Sequence, residues 1–441
     1  MARKYKDSGI EWIGQIPKEW KIYRLKGMAH SLSKGNGITK EEVFPDGDTP
    51  CVRYGEIYSK YNGAFVECVS RTRKDNLLTT HYFDYGDILF AGTGELVEEI
   101  GKNIVYIGKT PCLAGGDIII LKHSQNPVFL NYALNSQYAQ CQKSCGKAKL
   151  KVVHISSSEI GDMQVILPPL PEQQKIADYL DKVCGEADEM IALQEKMIEE
   201  LKAYKQSNIT EAVTKGLNPN VPMKNSGIDW IGEIPEYWRL EPLKYCFGRR
   251  SEKNYPVKTE ERLSLSIDKG VTLYAEKTTN LDRFKDDFTQ YQIAYPNDIV
   301  LNCMNMIVGA VGLSNYMGCV SPVYYVIYPS KQDVNPLYYS YLLNIPTIRG
   351  VYYSLGKGIY AIERGEGRVN TCRLKVSYND FGRLEIPVPP VEEQKAITQY
   401  IQEKCSEIDS MIAIKQQKIA ELKEYKKSVI YEYVTGKKKV V

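Results

Sequence analysis

Residues 168–214 read PPLPEQQKIADYLDKVCGEADEMIALQEKMIEELKAYKQSNITEAVT, and residues 389–435 read PPVEEQKAITQYIQEKCSEIDSMIAIKQQKIAELKEYKKSVIYEYVT. The two stretches align without a gap. Each opens on a double proline, which stops what precedes it and leaves a helix to begin within a few residues. In the first copy Ile176, Leu180, Val183, Ala187, Met190, Met197, Leu201 and Tyr204 recur at three- and four-residue steps, and Cys184, Ile191 and Ile198 widen the stripe. The second copy repeats it with Ile397, Ile401, Cys405, Ile408, Ile412, Ile419, Leu422 and Tyr425. Glu and Lys fill the other face, so each stretch predicts a helix of about 40 residues, roughly 60 Å long. Neither helix can bury its stripe alone. The expectation is that they pair as an antiparallel coiled coil.

Working outward, a second block also returns. Residues 6–26 read KDSGIEWIGQIPKEWKIYRLK and residues 224–244 read KNSGIDWIGEIPEYWRLEPLK; all four tryptophans of the chain lie in these copies. Between the paired blocks, 27–167 and 245–388 diverge. The order is opening motif, variable segment, long helix, then the same again, an internal repeat with pseudo-two-fold character. The variable segments read as α+β: the runs 87–90, 103–107 and 117–121, and later 298–301 and 323–328, are short and apolar between glycine-rich turns, as strands are. A short helix is expected after Asn126-Pro127 and another after Asn335-Pro336, each with Asn as cap and Pro in the first turn.

The bulk properties narrow the function. The chain has 441 residues, 43% apolar and 25% charged, with a net charge of +3. That suits two soluble domains with extra elements. No apolar stretch approaches bilayer length, and the first residues lack a secretory apolar core, so a cytoplasmic protein is expected. The 11 cysteines are scattered without a CxxC pair, and with only 4 histidines no metal site is expected.

A search for catalysis finds little. Asn335-Pro336-Leu337-Tyr338 is one residue from the Asn-Pro-Pro-Tyr with which amino-methyltransferases hold a flipped adenine, but its repeat-mate Asn126-Pro127-Val128-Phe129 makes a helix cap the better reading. Gly92-Thr93-Gly94 is too short for a cofactor loop and is followed by acidic residues. There is no Walker-type loop. No catalytic residue, no metal ligand and no cofactor bound by this chain are therefore expected.

The motifs SGIEWIGQIPKEW with SGIDWIGEIPEYW, and LPPLPEQQKIADYL with VPPVEEQKAITQYI, together with the order of elements, resemble the specificity subunits of type I restriction–modification systems. The resemblance spans the chain. It implies a target-recognition domain at 1–167, a spacer helix at 168–215, a second target-recognition domain at 216–388 and a second spacer helix at 389–441. It implies that each domain reads one half of a split, asymmetric double-stranded DNA site. It also implies two modification (methyltransferase) subunits that carry S-adenosylmethionine and methylate adenine, and restriction (endonuclease and translocase) subunits using ATP and Mg. Candidate DNA contacts follow from the need for Lys and Arg at phosphates and bases. In the first domain they are Arg53, Tyr54, Arg71, Arg73, Lys74, Lys147, Lys149 and Lys151; in the second, Arg249, Arg250, Lys253, Lys357, Arg364 and Arg368. Lys147 and Lys357 form the preferred pair, each beside a glycine after the Asn-Pro helix. Two other readings compete: a stand-alone adenine methyltransferase, disfavoured by the missing cofactor loop, and a coiled-coil scaffold without a role on DNA, disfavoured by the divergence of the variable segments.

Overall fold

The computed structural model describes residues 3–10, 13–77, 80–148, 152–276, 287–359, 363–364, 368–369 and 373–440. The double prolines act as expected: the first long helix runs Leu170–Lys215 and the second Val391–Val434. The chain divides into two compact units, one of Met1–Glu195 with Gln416–Val441, the other of Lys196–Lys415. Each unit therefore holds the start of one long helix and the end of the other.

Within the first unit the two helix segments run antiparallel. The rings of Tyr179 and Tyr433 lie 4.5 Å apart, Lys426 pairs with Asp188, and Ile176 and Leu180 share a core with Val429 and Val434. In the second unit Lys205 bonds Asp409 at 2.6 and 2.7 Å, and Ala212 and Val213 pack with Ile397 and Ile401. The seam is narrower than the heptad reading placed it. Cys184, Ile191 and Ile198, seven residues apart, are buried, whereas Met190, Tyr204 and Tyr425 are half or more exposed. Two helices alone cover only a strict seven-residue seam, and the flanking positions stay open.

The variable segment of the first unit centres on a five-stranded sheet. Its order is Ala29–Lys34, Ile118–His123, Ile88–Ala91, Asn103–Tyr106 and Ala64–Phe65, antiparallel except for the last pair. Ile88, Phe90, Val105, Ile119 and Leu121 face one core, and Leu89, Ile104, Tyr106, Ile118 and Ile120 face another. A sheet buried on both faces explains why these strands read as unbroken apolar runs. In the second unit the main sheet orders Phe247–Arg250, Tyr324–Pro329, Ile299–Asn302 and Val311–Leu313. The same alternation recurs, with Ile299, Leu301 and Ile327 on one side and Val300 and Val326 on the other.

The opening motif makes the same small structure twice. Tyr5–Asp7 pairs with Gln15–Pro17, and Met223–Asn225 with Glu233–Pro235. Its repeated glycines, Gly9 and Gly14 and then Gly227 and Gly232, all have φ between +66° and +74°, a conformation that favours glycine. The strands that follow, Lys21–Arg24 and Arg239–Pro242, pair with Gln164–Leu167 and Glu385–Val388, the last residues before each long helix. Each variable segment is thus gathered at both ends onto its helix.

Candidate DNA interface

Two contacts present in both copies of the repeat fix each variable segment to its helix. Trp20 and Trp238, both fully buried, donate from the indole Nε1 to Glu172 and Glu393 Oε2, each at 3.0 Å. The next residue in the helix is a buried glutamine. Gln173 accepts from the Asn126 backbone N–H at 2.9 Å and donates to the Pro168 carbonyl at 2.9 Å. Gln394 accepts from the Asn335 N–H at 2.8 Å and donates to the carbonyls of Asp333 and Pro389, both at 2.9 Å. Asn126 and Asn335 are themselves caps: their side chains accept from Phe129 N and Leu337 N, and helices Pro127–Asn135 and Pro336–Leu342 follow. Tyr338, the residue that would stack a base in a methyltransferase loop, is fully buried and donates to the Val213 carbonyl at 2.7 Å. Gly92-Thr93-Gly94 is equally structural, since Thr93 and Gly94 pair with His154 and Val153. Among the described residues no cluster of His, Cys, Asp or Glu could hold a metal ion.

The structure gathers part of the first domain's basic set and ties it down. Arg71, on strand Ser70–Thr72, donates to the carbonyls of Gly47 at 2.6 Å and Asp48 at 2.9 Å. Arg73 reaches Asp46 at 2.8 Å and lies 4.8 Å from the Phe44 ring, and the Lys74 N–H donates to Asp48 at 3.3 Å. These three therefore surround one loop, 44–48. Arg53 precedes helix Tyr54–Ser59 and bonds Glu56 through Nε and Nη2 at 3.3 and 3.2 Å, leaving Tyr54 partly exposed. Lys147 stands apart from that loop set. Its ammonium turns to Glu159, the acidic member of the capping box of helix Ser157–Asp162, and this bond holds the carboxyl down to about 2. Lys149 and Lys151 lie outside the described residues.

In the second domain adjacent arginines differ. Arg250 forms a bidentate pair with the buried Asp298, at 2.6 and 2.9 Å, between the rings of Tyr295 and Tyr328. Arg249 points the other way, exposed, over Tyr325 and Tyr378. Lys253 is exposed and its backbone bridges to Gln292. Lys357 is exposed on strand Lys357–Ile359, directly opposite Lys375. Arg364 faces Arg368 in backbone register, their side chains lying outside the described residues.

A family model described as the type I restriction modification DNA specificity domain matches residues 17–203. The chain is 26% identical over 97% of its length, and 96% of the relative's, to the MjaX type I restriction enzyme specificity subunit of Methanocaldococcus jannaschii. It is 24% identical to the MjaVIII specificity subunit of the same organism, covering 97% of this chain and 94% of that one. Among solved structures, one reported for complex assembly and conformational transition of the type I R-M system superposes with a TM-score of 0.68 at 16% identity, covering 96% of this chain and 99% of the other. The HsdS subunit of Thermoanaerobacter tengcongensis follows with a TM-score of 0.51 at 15% identity, covering 98% and 99%. Residues 17–203 thus match the type I restriction modification DNA specificity domain, and along 97% of its length the chain is similar to type I restriction enzyme specificity subunits.

A specificity subunit is the recognition component of its system and not a catalytic one. Two kinds of residue become notable only in the structure. The Trp–Glu and Gln clamps are repeated letters in the sequence, PEQ at 171–173 and EEQ at 392–394, whose spacing signals only a helix start. Lys375 carried no signal, because it has no basic repeat-mate and becomes notable only through strand pairing. Among the described residues no helix is long and apolar enough to cross a membrane.

Proposed function

We propose that this chain is a type I specificity subunit that reads a two-part, asymmetric double-stranded DNA site in the cytoplasm, one half with each of its target-recognition domains, 1–167 and 216–388. The helices at 168–215 and 389–441 serve as spacers and docking elements. The observation that carries the reading is one scaffold built twice around two dissimilar surfaces. The Trp–Glu bond, the Gln clamp and the Asn-capped helix recur in both halves, while the rest of 27–167 and 245–388 diverges in sequence. A repeated frame with divergent faces is what reading two different half-sites requires.

Two identical partners fit the same repeat. The first unit exposes Met190, Leu193 and Tyr425; the second exposes their repeat-mates Met411, Ile414 and Tyr204. Equivalent apolar patches on a helical seam suit two copies of one modification subunit. Those subunits would carry S-adenosylmethionine and methylate adenine, and restriction subunits with ATP and Mg would complete the nuclease. The test is single-molecule methylome sequencing of cells expressing this chain with its modification partner. Adenine methylation at one split motif with a fixed gap, lost on deletion of this chain, is expected. Absence of any motif from a complex that assembles and binds cofactor would refute the proposal and favour a scaffold.

A further inference from the structure

At one place the second domain has a longer segment than the first. Ten positions separate Gly146 from Ser156 in the first domain, and twenty-one separate the corresponding Gly356 from Ser377. The ends of the two segments are equivalent: Ile155 N–H donates to the Gly92 carbonyl at 2.9 Å, Val376 N–H to the Cys303 carbonyl at 3.1 Å, and Ser156 and Ser377 each cap a short helix. The described residues of this added length pair antiparallel as the base of a ribbon, Lys357–Ile359 with Arg373–Lys375.

The charges of this ribbon oppose their own fold. Lys357 and Lys375 are register partners, both exposed, whereas the intervening Leu374 is buried. Like charges directly opposite one another on a sheet destabilise the pair. Farther along, the backbone register sets Arg364 opposite Arg368. No carboxylate among the described residues pairs with Lys357 or Lys375. A polyanion relieves this repulsion.

Arg249 stands beside the ribbon base. Its guanidinium carbon lies 5.1 Å from the Tyr325 ring centre and 4.8 Å from that of Tyr378. Tyr325 is anchored by its hydroxyl, which donates to the Val376 carbonyl at 2.9 Å, one residue beyond Lys375. Stacking uses the faces of the guanidinium and leaves its N–H edges free, and among the described residues none of those edges is bonded. Its neighbour Arg250 has spent the same groups on Asp298. A stacked arginine of this kind is held in one orientation before a ligand arrives. Its planar fork suits the O6 and N7 of guanine, and a two-stranded ribbon is one of the shapes the major groove admits.

We infer that the Lys357–Lys375 ribbon base and Arg249 form the major-groove contact of the second domain, with Arg249 reading a guanine and the two lysines seated on phosphates. This rests on the reading of the chain as a two-domain DNA reader and names the surface that one half-site meets.

The test uses the full chain in complex with its modification subunit. Methylome sequencing compares the wild type with R249K, and duplex binding between 50 and 200 mM salt compares the wild type with the K357A/K375A double variant. With R249K, preference for guanine at one position of one half-site is expected to fall roughly 5- to 150-fold, the other half-site staying unchanged. With the double variant, the slope of log K against log salt is expected to flatten by about 2, with the motif unaltered. An unaltered motif in R249K, or an unaltered slope in the double variant, overturns the assignment while leaving the two-domain reading in place. If R249K loses methylation at every site, the slope of the exposed-lysine variant decides alone. A wild-type complex that yields no motif overturns the two-domain reading, and this assignment with it.

Discussion

Replacing Gln394 with leucine should unseat the second variable segment, 245–388, from the helix Val391–Val434. Gln394 is fully buried and satisfies three backbone groups: the Asn335 N–H and the carbonyls of Asp333 and Pro389. Leucine has a similar volume but offers none of these partners. The Pro389 bond is buried and the other two are part-buried. One fully stranded group costs about 2 kcal/mol and two that recover some water about 1 kcal/mol each. The added apolar burial returns roughly 1 kcal/mol, leaving about 3 kcal/mol. For a unit of this size that lowers the midpoint of thermal unfolding by about 6 to 12 °C. The assay is tryptophan fluorescence during unfolding, since Trp238 is buried beside the clamp on Glu393, with hydrogen exchange at Asn335 as a local readout. Gln394→Glu separates the bonds: it keeps an acceptor for Asn335 but aims a carboxylate at two carbonyls, so it should recover stability as pH falls and the carboxyl becomes a donor. A Gln394→Leu midpoint within 2 °C of wild type, with Asn335 still protected, would refute the clamp as a source of stability.

Four further outcomes follow from other parts of the fold. Gly436→Ala should lose about 2 kcal/mol or more, because φ is +72° and a Cβ would meet Pro17 Cδ at 2.5 Å. Gly185→Ala should instead gain up to about 1 kcal/mol, the position being helical with nothing within 4 Å; thermal melts of the two variants should move in opposite directions. Burial alone pushes the Lys143 ammonium down to about 7, below the unfolded lysine value. The unfolded chain therefore holds the extra proton between pH 7 and about 10.4, so stability rises with pH across that window by up to about 1.4 kcal/mol per unit. Lys143→Met should flatten that dependence, and equal pH slopes in urea unfolding of the two proteins would contradict it. Leu193→Asp and Ile414→Asp should each weaken capture of the modification subunit, measured by analytical ultracentrifugation, and together reduce its stoichiometry; unchanged assembly of the double variant would remove these patches from the docking surface.

The fold was legible wherever chemistry repeated at a fixed offset. Pro168-Pro169 and Pro389-Pro390 announced the long helices, and Asn126-Pro127 and Asn335-Pro336 announced capped helices, because each signal acts within a few residues of itself. The seam was less legible. Met190, Tyr204 and Tyr425 match the heptad as well as Ile191 and Ile198 do, and only the number of helices packed together decides which set closes. Sequence periodicity states that a helix has an apolar side; it does not state how wide a partner will cover it.

The proposed DNA contacts lie at the far end of this scale, and the reason is physical. An arginine in sequence is a charge with several possible destinations, and the fold spends most of them. Arg71 serves two loop carbonyls, Arg53 serves a helix cap through Glu56, Lys147 neutralises Glu159, and Arg250 neutralises a buried Asp298. Each bond costs a DNA contact its donor unless the phosphate outcompetes the internal partner. Arg249 differs from Arg250 by one position on the same strand, which places them on opposite faces of the pleat. One face met an aspartate and the other met two tyrosine rings, so equal letters received unequal freedom. The free energy for DNA then falls to the side chains that folding left unbonded, and identifying those requires the partners of every arginine and lysine rather than their positions alone.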